Sequence, residues 1–367
     1  MAAEKKRPRG LKSSAAEKSS KKTKVDQDAN EIPENAQTVV LNKEVEEGDE
    51  VGEAAALFES ALEKVEKNPS ESLALLRGTV HESDRILRNW TGEEPLPPKF
   101  YLTYGSALYE LGRLTVDEEF GPFLDAAEER LQDGLDHAEK NEKEEYLQDI
   151  NRIKVTIAKI RIVKRADTDD FESVSESVAS DLDTINESLE AADLSNTFKV
   201  ELAAVINNHG YLYTKLELRE KFREWADRLL SEVVKDEPSN AQALIQLGYC
   251  KRSIVDYWLD KIDEQEDEEE KAEDEKKAYD AVLACKGHLK QAYDILEKNK
   301  GLTHEICTDL AEAILNEANL VSKEEEQNEL YKEAVKYVRE AQSVASEDYS
   351  LPEDLENFLK EWEADQA

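Results

Sequence analysis

The stretch Glu237-Pro238-Ser239-Asn240-Ala241-Gln242-Ala243-Leu244-Ile245-Gln246-Leu247-Gly248 decides the fold. Pro238 has no N–H to donate and stops the helix before it. Ser239 and Asn240 are short polar residues of the kind that cap the next helix. Leu244, Leu247 and Gly248 then share one helical face, and a glycine on that face lets a partner helix approach closely. Upstream, Ala226, Leu230 and Val233 fall three or four residues apart, a small–large–small face on the preceding helix. The stretch is therefore a junction between two packed helices.

That junction resembles the boundary between tetratricopeptide repeats. Partial copies lie elsewhere. Ala54, Phe58 and Ala61 have second-helix spacing before Pro69, and so do Tyr331, Ala334, Val338 and Ala341 near the end. Tyr101, Tyr104, Gly105 and Leu108 have first-helix spacing, with Ala127, Leu131 and Gly134 on the partner helix. No copy keeps the strict repeat length of about 34 residues. The expected fold is all-α, a TPR-like right-handed solenoid of antiparallel helical hairpins, and the alternative is a plain helical bundle.

The helical period holds over most of the rest. Leu73, Leu76, Val80 and Leu87 mark a helix that Ser70 or Ser72 is placed to cap, and Ile150, Ile153, Ile157 and Ile160 mark a long one. Phe171, Val174, Val178, Leu182, Ile185 and Leu189 predict another, as do Phe222, Trp225, Leu229 and Val233. Only 13 Gly and 9 Pro punctuate 367 residues. An all-β chain needs a turn every ~8–12 residues and is excluded. No apolar run approaches the ~18 residues of a membrane span.

Charge is high and uneven. Charged residues make up 36% of the chain and the formal charge is −37. Residues 1–24 carry nine Lys and Arg against two Glu, net +7, which leaves −44 on the remainder. Such a body repels phosphates, so neither direct nucleic-acid binding nor membrane binding is expected as the main activity. Residues 1–50 are expected to form a disordered tail with an acidic linker, carrying one apolar cluster at Val39, Val40 and Leu41. Residues 51–367 are expected to form a single repeat domain, with 263–277 (DEQEDEEEKAEDEKK) as an acidic insertion. The start lacks the apolar core of a secretory signal. Cys250, Cys285 and Cys307 do not make a disulfide framework and fit a reducing compartment.

Within the tail, Lys5, Lys6, Arg7 and Arg9, then Lys21, Lys22 and Lys24, form two basic clusters like a bipartite nuclear import signal, read by the acidic pockets of an import receptor. Nuclear localisation is the expectation, with shuttling to the cytoplasm.

The search for chemistry yields no site. His81-Glu82 and His304-Glu305 begin an H-E-x-x-H motif, but Arg85 and Thr308 stand where the second histidine belongs. No phosphate loop, nucleophile elbow or dinucleotide fingerprint is present, and Cys285 with His288 has no second pair to complete a zinc site. No catalytic residue, metal or cofactor is expected, and the chain is read as not an enzyme. What remains is surface. Arg152, Lys159 and Arg161 belong to a basic patch between residues 150 and 165. Asn207, Asn208, Tyr211 and Lys251 are candidates for an inner face lined by the first helix of each pair. Both groups are candidate partner-binding residues.

The opening Lys6-Arg7-Pro8-Arg9-Gly10-Leu11, followed by a Lys/Ser/Ala-rich segment, resembles the start of the fungal enhancer-of-translation-termination proteins. These are also described as nuclear negative regulators of an Ofd-type prolyl-hydroxylase-like 2-oxoglutarate dioxygenase. The family often has an apolar residue and a Gly where this chain has Arg9 and Lys12. The resemblance implies a non-enzymatic nuclear adaptor that binds the dioxygenase's C-terminal region and inhibits it, so controlling the stability of a hypoxic transcription factor, with a link to translation termination efficiency. No interface motif transfers with it. The competing reading from charge is an acidic nuclear chaperone for a basic cargo such as histones or ribosomal proteins.

Overall fold

The computed structural model describes residues 45–46, 48–65, 68–92, 94–139, 143–166, 170–346 and 349–365. The import-type residues Lys5, Lys6, Arg7, Arg9, Lys21, Lys22 and Lys24 lie outside them, as does the apolar cluster at Val39, Val40 and Leu41. The described residues form thirteen α-helices and no strand. They fall into two compact units, a division of which the helical periodicity carries no sign.

The first unit begins with α1 (Glu50–Leu62) and α2 (Pro69–Asn89), packed as a hairpin. Asp49 caps α1 by accepting from the Gly52 N–H at 2.9 Å. Asn68, and neither Ser70 nor Ser72, caps α2 by accepting from the Glu71 N–H at 3.3 Å. The reason is that Pro69 already occupies the first turn, where its missing N–H costs nothing. Ser72 is fully buried, and its Oγ donates to the Ala61 carbonyl at 2.8 Å, joining the two helices. α1 is thus the first helix of its pair, and the second-helix reading of Ala54, Phe58 and Ala61 is corrected: their small face receives α2.

α3 (Pro98–Leu114) and α4 (Gly121–Glu139) form the next hairpin. Tyr101, Tyr104 and Leu108 are buried with Ala127 and Leu131, the pairing expected from the repeat pattern. α5 (Leu147–Arg165) follows a short 3-10 turn and packs on α3 and α4 on one side and α6 (Glu176–Ala192) on the other. It therefore buries Ile153, Ile157 and Ile160 and also Val155, Ala158 and Ile162. Each such isoleucine or valine contributes ~1.5–3 kcal/mol by leaving water. α6 starts five residues later than its apolar period suggests. Phe171 sits before it with φ 54°, in the left-handed region where a helix cannot continue.

The second unit holds α7 (Asn196–Tyr211), α8 (Leu216–Asp236), α9 (Ala241–Glu264), α10 (Glu268–Lys298), α11 (His304–Leu320), α12 (Glu324–Val344) and α13 (Glu353–Asp365), together with residues 170–175. α7 pairs with α8, α9 with α10, and α11 with α12. The ring of Phe171 packs edge-on against His209 and Tyr213, whose rings in turn contact Phe222. At the α8–α9 junction Asn240 accepts from the Ala243 N–H at 2.9 Å. A Cβ on Gly248 would lie 2.8 Å from Leu289 Cδ2 on α10, so the glycine sets the closeness of that hairpin. The acidic run 263–277 is the end of α9, a three-residue link and the start of α10. Asp267 caps α10, and Glu268, Glu269 and Glu270 occupy its first turn, where the helix dipole favours negative charge. Among the described residues no helix is long and apolar enough to cross a membrane.

Candidate protein-binding face

Lys154 of α5 is exposed, while the other basic side chains of the helix find contacts within the first unit. Arg152 donates to the Ala192 and Asp193 carbonyls at 2.7 and 2.9 Å, closing the C-terminus of α6. Arg161 donates to Glu128 at 2.8 Å and lies 3.8 Å from Asp181. Lys164 reaches Asp125 and Glu128, both at 2.8 Å, and Arg165 pairs with Asp181 at 2.5 Å. Lys159 is 2% exposed, and its Nζ lies 4.0 Å above the ring of Tyr109. Lys159 is therefore a core residue with no surface to offer a partner. Helical spacing places a cation on a face but cannot say whether a carboxylate waits there.

In the second unit the four candidate residues separate. Asn208 is exposed. Asn207, one turn before Tyr211, is 4% exposed, and its Oδ1 has no hydrogen-bond partner. Lys251 turns back to α8, where its Nζ pairs with Asp227 at 2.6 Å. Tyr211 stays on the seam between α7 and α9, with its OH donating to Asp256 at 3.0 Å.

Tyr211 leads to a set of residues that the sequence does not single out. On α9, Tyr249, Arg252 and Asp256 follow one another at three- and four-residue steps, so they share a face. On α11, Asp309 and Glu312 are three apart. Arg252 bridges the two helices, 3.2 Å from Asp309 and 2.7 Å from Glu312. Tyr249 donates to Asp309 at 2.5 Å. The signal for these residues was present as polar i,i+3 and i,i+4 spacing on two first helices of hairpins, but such spacing is common in a chain this charged. Beside Arg252 a narrow crevice opens over Val255, Val282 and Ala313.

Asp309 and Glu312 pair with Arg252, and Asp256 accepts from Tyr211 with the Arg252 and Arg219 charges nearby. Burial raises all three carboxyls above their ordinary range, and the nearby Arg252 charge only partly opposes it. Burial and the Asp309 charge hold the Tyr249 hydroxyl well above the tyrosine range, so it stays a donor. Burial, with the Asp256 charge, raises Tyr211 in the same way. The arrangement offers fixed hydrogen-bond acceptors and no nucleophile–base pair.

Elsewhere the described residues contain no group of three or more His, Cys, Asp or Glu able to hold a metal. Burial pushes the thiols of Cys250, Cys285 and Cys307 up to about 12, which leaves them protonated and inert at neutral pH.

Comparison with known proteins places this architecture. The model of the Nro1 family, described as nuclear pore complex subunit Nro1, matches residues 1–277. Enhancer of translation termination 1 of Yarrowia lipolytica is 27% identical over 355 residues, which span 84% of this chain and 86% of that protein. Negative regulator of ofd1 of Schizosaccharomyces pombe is 34% identical over 169 residues, 38% of this chain and 42% of that protein. A solved structure of the S. pombe nuclear import adaptor Nro1 aligns with a TM-score of 0.54 at 20% identity, covering 86% of this chain and 99% of that one, a likeness of fold. By sequence over three quarters of its length, and by an all-helical fold of the same kind, the chain belongs to the Nro1 family.

Proposed function

We propose that the chain is a non-enzymatic nuclear adaptor that binds a prolyl-hydroxylase-like 2-oxoglutarate dioxygenase through that enzyme's C-terminal region and restrains it. The consequence is control over the stability of a hypoxic transcription factor, with a second link to translation termination. The observation that carries this reading is membership of a family whose relatives are named negative regulator of ofd1 and enhancer of translation termination 1. The name nuclear import adaptor, given to the S. pombe structure, supports the nuclear location and a partner in the import machinery. The Lys/Arg clusters of residues 5–24 have the composition of the address such an adaptor uses.

The test is affinity purification of the tagged full chain, followed by identification of its main partner. A 2-oxoglutarate dioxygenase, lost when its C-terminal region is removed, is the expected result. A chain that captures no dioxygenase overturns the reading. Localisation is a separate arm: replacing Lys5, Lys6, Arg7, Lys21, Lys22 and Lys24 with Ala is expected to abolish nuclear accumulation.

The charge of −44 outside residues 1–24 favours a second reading, an acidic chaperone for a basic cargo such as histones or ribosomal proteins. Salt separates the two. A charge-held cargo is released once the Debye length falls below ~8 Å, whereas a complex with buried apolar anchors survives.

A further inference from the structure

A groove opens between α4 and α5 of the first unit, with a volume of about 670 Å³. Leu135 of α4 and Leu147 and Ile150 of α5 line it, and Lys143 stands at its mouth. Leu147 is 55% exposed, and Leu135 and Ile150 are half-buried. One turn past Ile150, Lys154 also lines the groove, is exposed and pairs with no carboxylate among the described residues. The groove therefore lacks an apolar cover along its length and a negative charge at its inner end.

The chain's own start leads to this edge of the unit. Arg85, near the end of α2, pairs with Glu50 at the start of α1 at 2.9 Å. Just past α2, Trp90 donates to the Glu94 carbonyl at 2.8 Å, and the Glu94 carboxylate holds Lys143 at 2.7 Å. The start of α1, the end of α2 and the mouth of the groove thus share one edge. Val45 rests against the first turn of α1, where a Cβ on Gly52 would lie 3.1 Å from its Cγ1. Upstream, Val39, Val40 and Leu41 are the one run of large apolar residues in residues 1–44, with Glu31 and Glu34 before it. Val39 is six residues from Val45, at most about 20 Å of extended chain. α1 packs on α3 and α3 on α5, two spacings of about 8–10 Å each. We infer that Val39-Val40-Leu41 docks in the groove of its own chain, against Leu135, Leu147 and Ile150, with the preceding carboxylates toward Lys154. Residues 1–24 are basic and offer Lys154 no such match. The inference stands apart from the adaptor reading, since a folded-back segment needs no partner.

The experiment places p-benzoylphenylalanine at position 41 of the full-length chain, irradiates the purified protein and maps the cross-links by mass spectrometry. The same group at position 11, in the basic stretch, is the control. Cross-links from position 41 to residues 135–154 of the same chain are expected, with few from position 11. Leu147→Asp is expected to lower that yield about fivefold or more, the scale for losing a buried aliphatic contact. The variant keeps its fold, since an acidic residue at the first position of α5 suits the helix dipole. Val116→Asp replaces an apolar side chain that is 98% exposed beyond the far end of α3, and is expected to leave the yield unchanged. Cross-links joining two chains overturn the proposal, because the occupant is then a second copy. Cross-links scattered as from position 11, or equal losses in the two variants, overturn it as well. So does an empty map, which leaves the groove to a segment of another protein.

Discussion

Arg161 on α5 donates its Nε–H to Oε1 of Glu128 on α4 at 2.8 Å. Lys164 reaches the other carboxylate oxygen, so one acidic side chain of α4 gathers two cations of α5. The basic patch of α5 is in this way a seam between helices.

Replacing Arg161 and Lys164 together with Ala is expected to lower the stability of the folded chain by about 0.5–1 kcal/mol, a figure discounted for their partial exposure. Burial raises the Glu128 carboxyl, but the hydrogen bonds from Lys164 and Arg161 outweigh it and hold the group below its ordinary value. Its contribution is therefore present above the unfolded value of about 4.3 and is lost as pH falls through the lowered one. Urea melts of wild type and double variant at neutral and acid pH are expected to converge toward the acid end.

The carboxyls of the second unit respond oppositely. Asp309 and Glu312 are raised by burial, so the folded chain holds protons there that the unfolded chain has released. Their contribution to stability grows as pH falls through the raised values and is complete below about pH 4. Wild type is expected to gain stability relative to Asp309→Asn with Glu312→Gln as pH falls from 7 toward about 4. A constant difference across that range counts against the burial of these groups.

Two glycines of the α9–α10 hairpin are expected to behave differently. A methyl on Gly248 meets Leu289 at 2.8 Å, whereas one on Gly287 meets nothing within 4 Å. Gly248→Ala is expected to cost ~1–3 kcal/mol through overpacking. Gly287→Ala is expected to stabilise the chain by ~0.5–1 kcal/mol, because it only restricts the unfolded helix backbone. Thermal melts of the two variants check both signs.

Cys250, Cys285 and Cys307 are buried, with thiols held at about 12. Alkylation by iodoacetamide at neutral pH is expected to leave all three unmodified in the native chain and to label all three in denaturant, read by intact mass. Labelling of the native chain would show that the core opens locally.

Much of the fold was legible because helix pairing leaves a local trace. At the α8–α9 junction Pro238, Asn240 and Gly248 each act through an effect confined to a few residues: a missing donor, a capping oxygen and a missing Cβ. Helix starts were less legible where two residues competed for one role. Ser70 and Ser72 both suit a cap, but Pro69 shifted the helix start back to Asn68. Phe171 fits the apolar period of α6, yet its ring packs on His209 and Tyr213 and its backbone lies in the left-handed region at φ 54°.

The candidate faces depended on distant partners. Lys159 and Arg161 look alike along α5, but the first is buried over the Tyr109 ring and the second is half-exposed beside Glu128. Arg252, Asp309 and Glu312 are ordinary charged residues until the Arg252 side chain reaches from α9 to α11. The sequence by itself determined which segments are helical, where most hairpins turn and the sign of the charge on each region, since these follow from neighbours along the chain. Only the tertiary structure decided which charges meet which partners, because pairing depends on a few ångströms between residues dozens of positions apart.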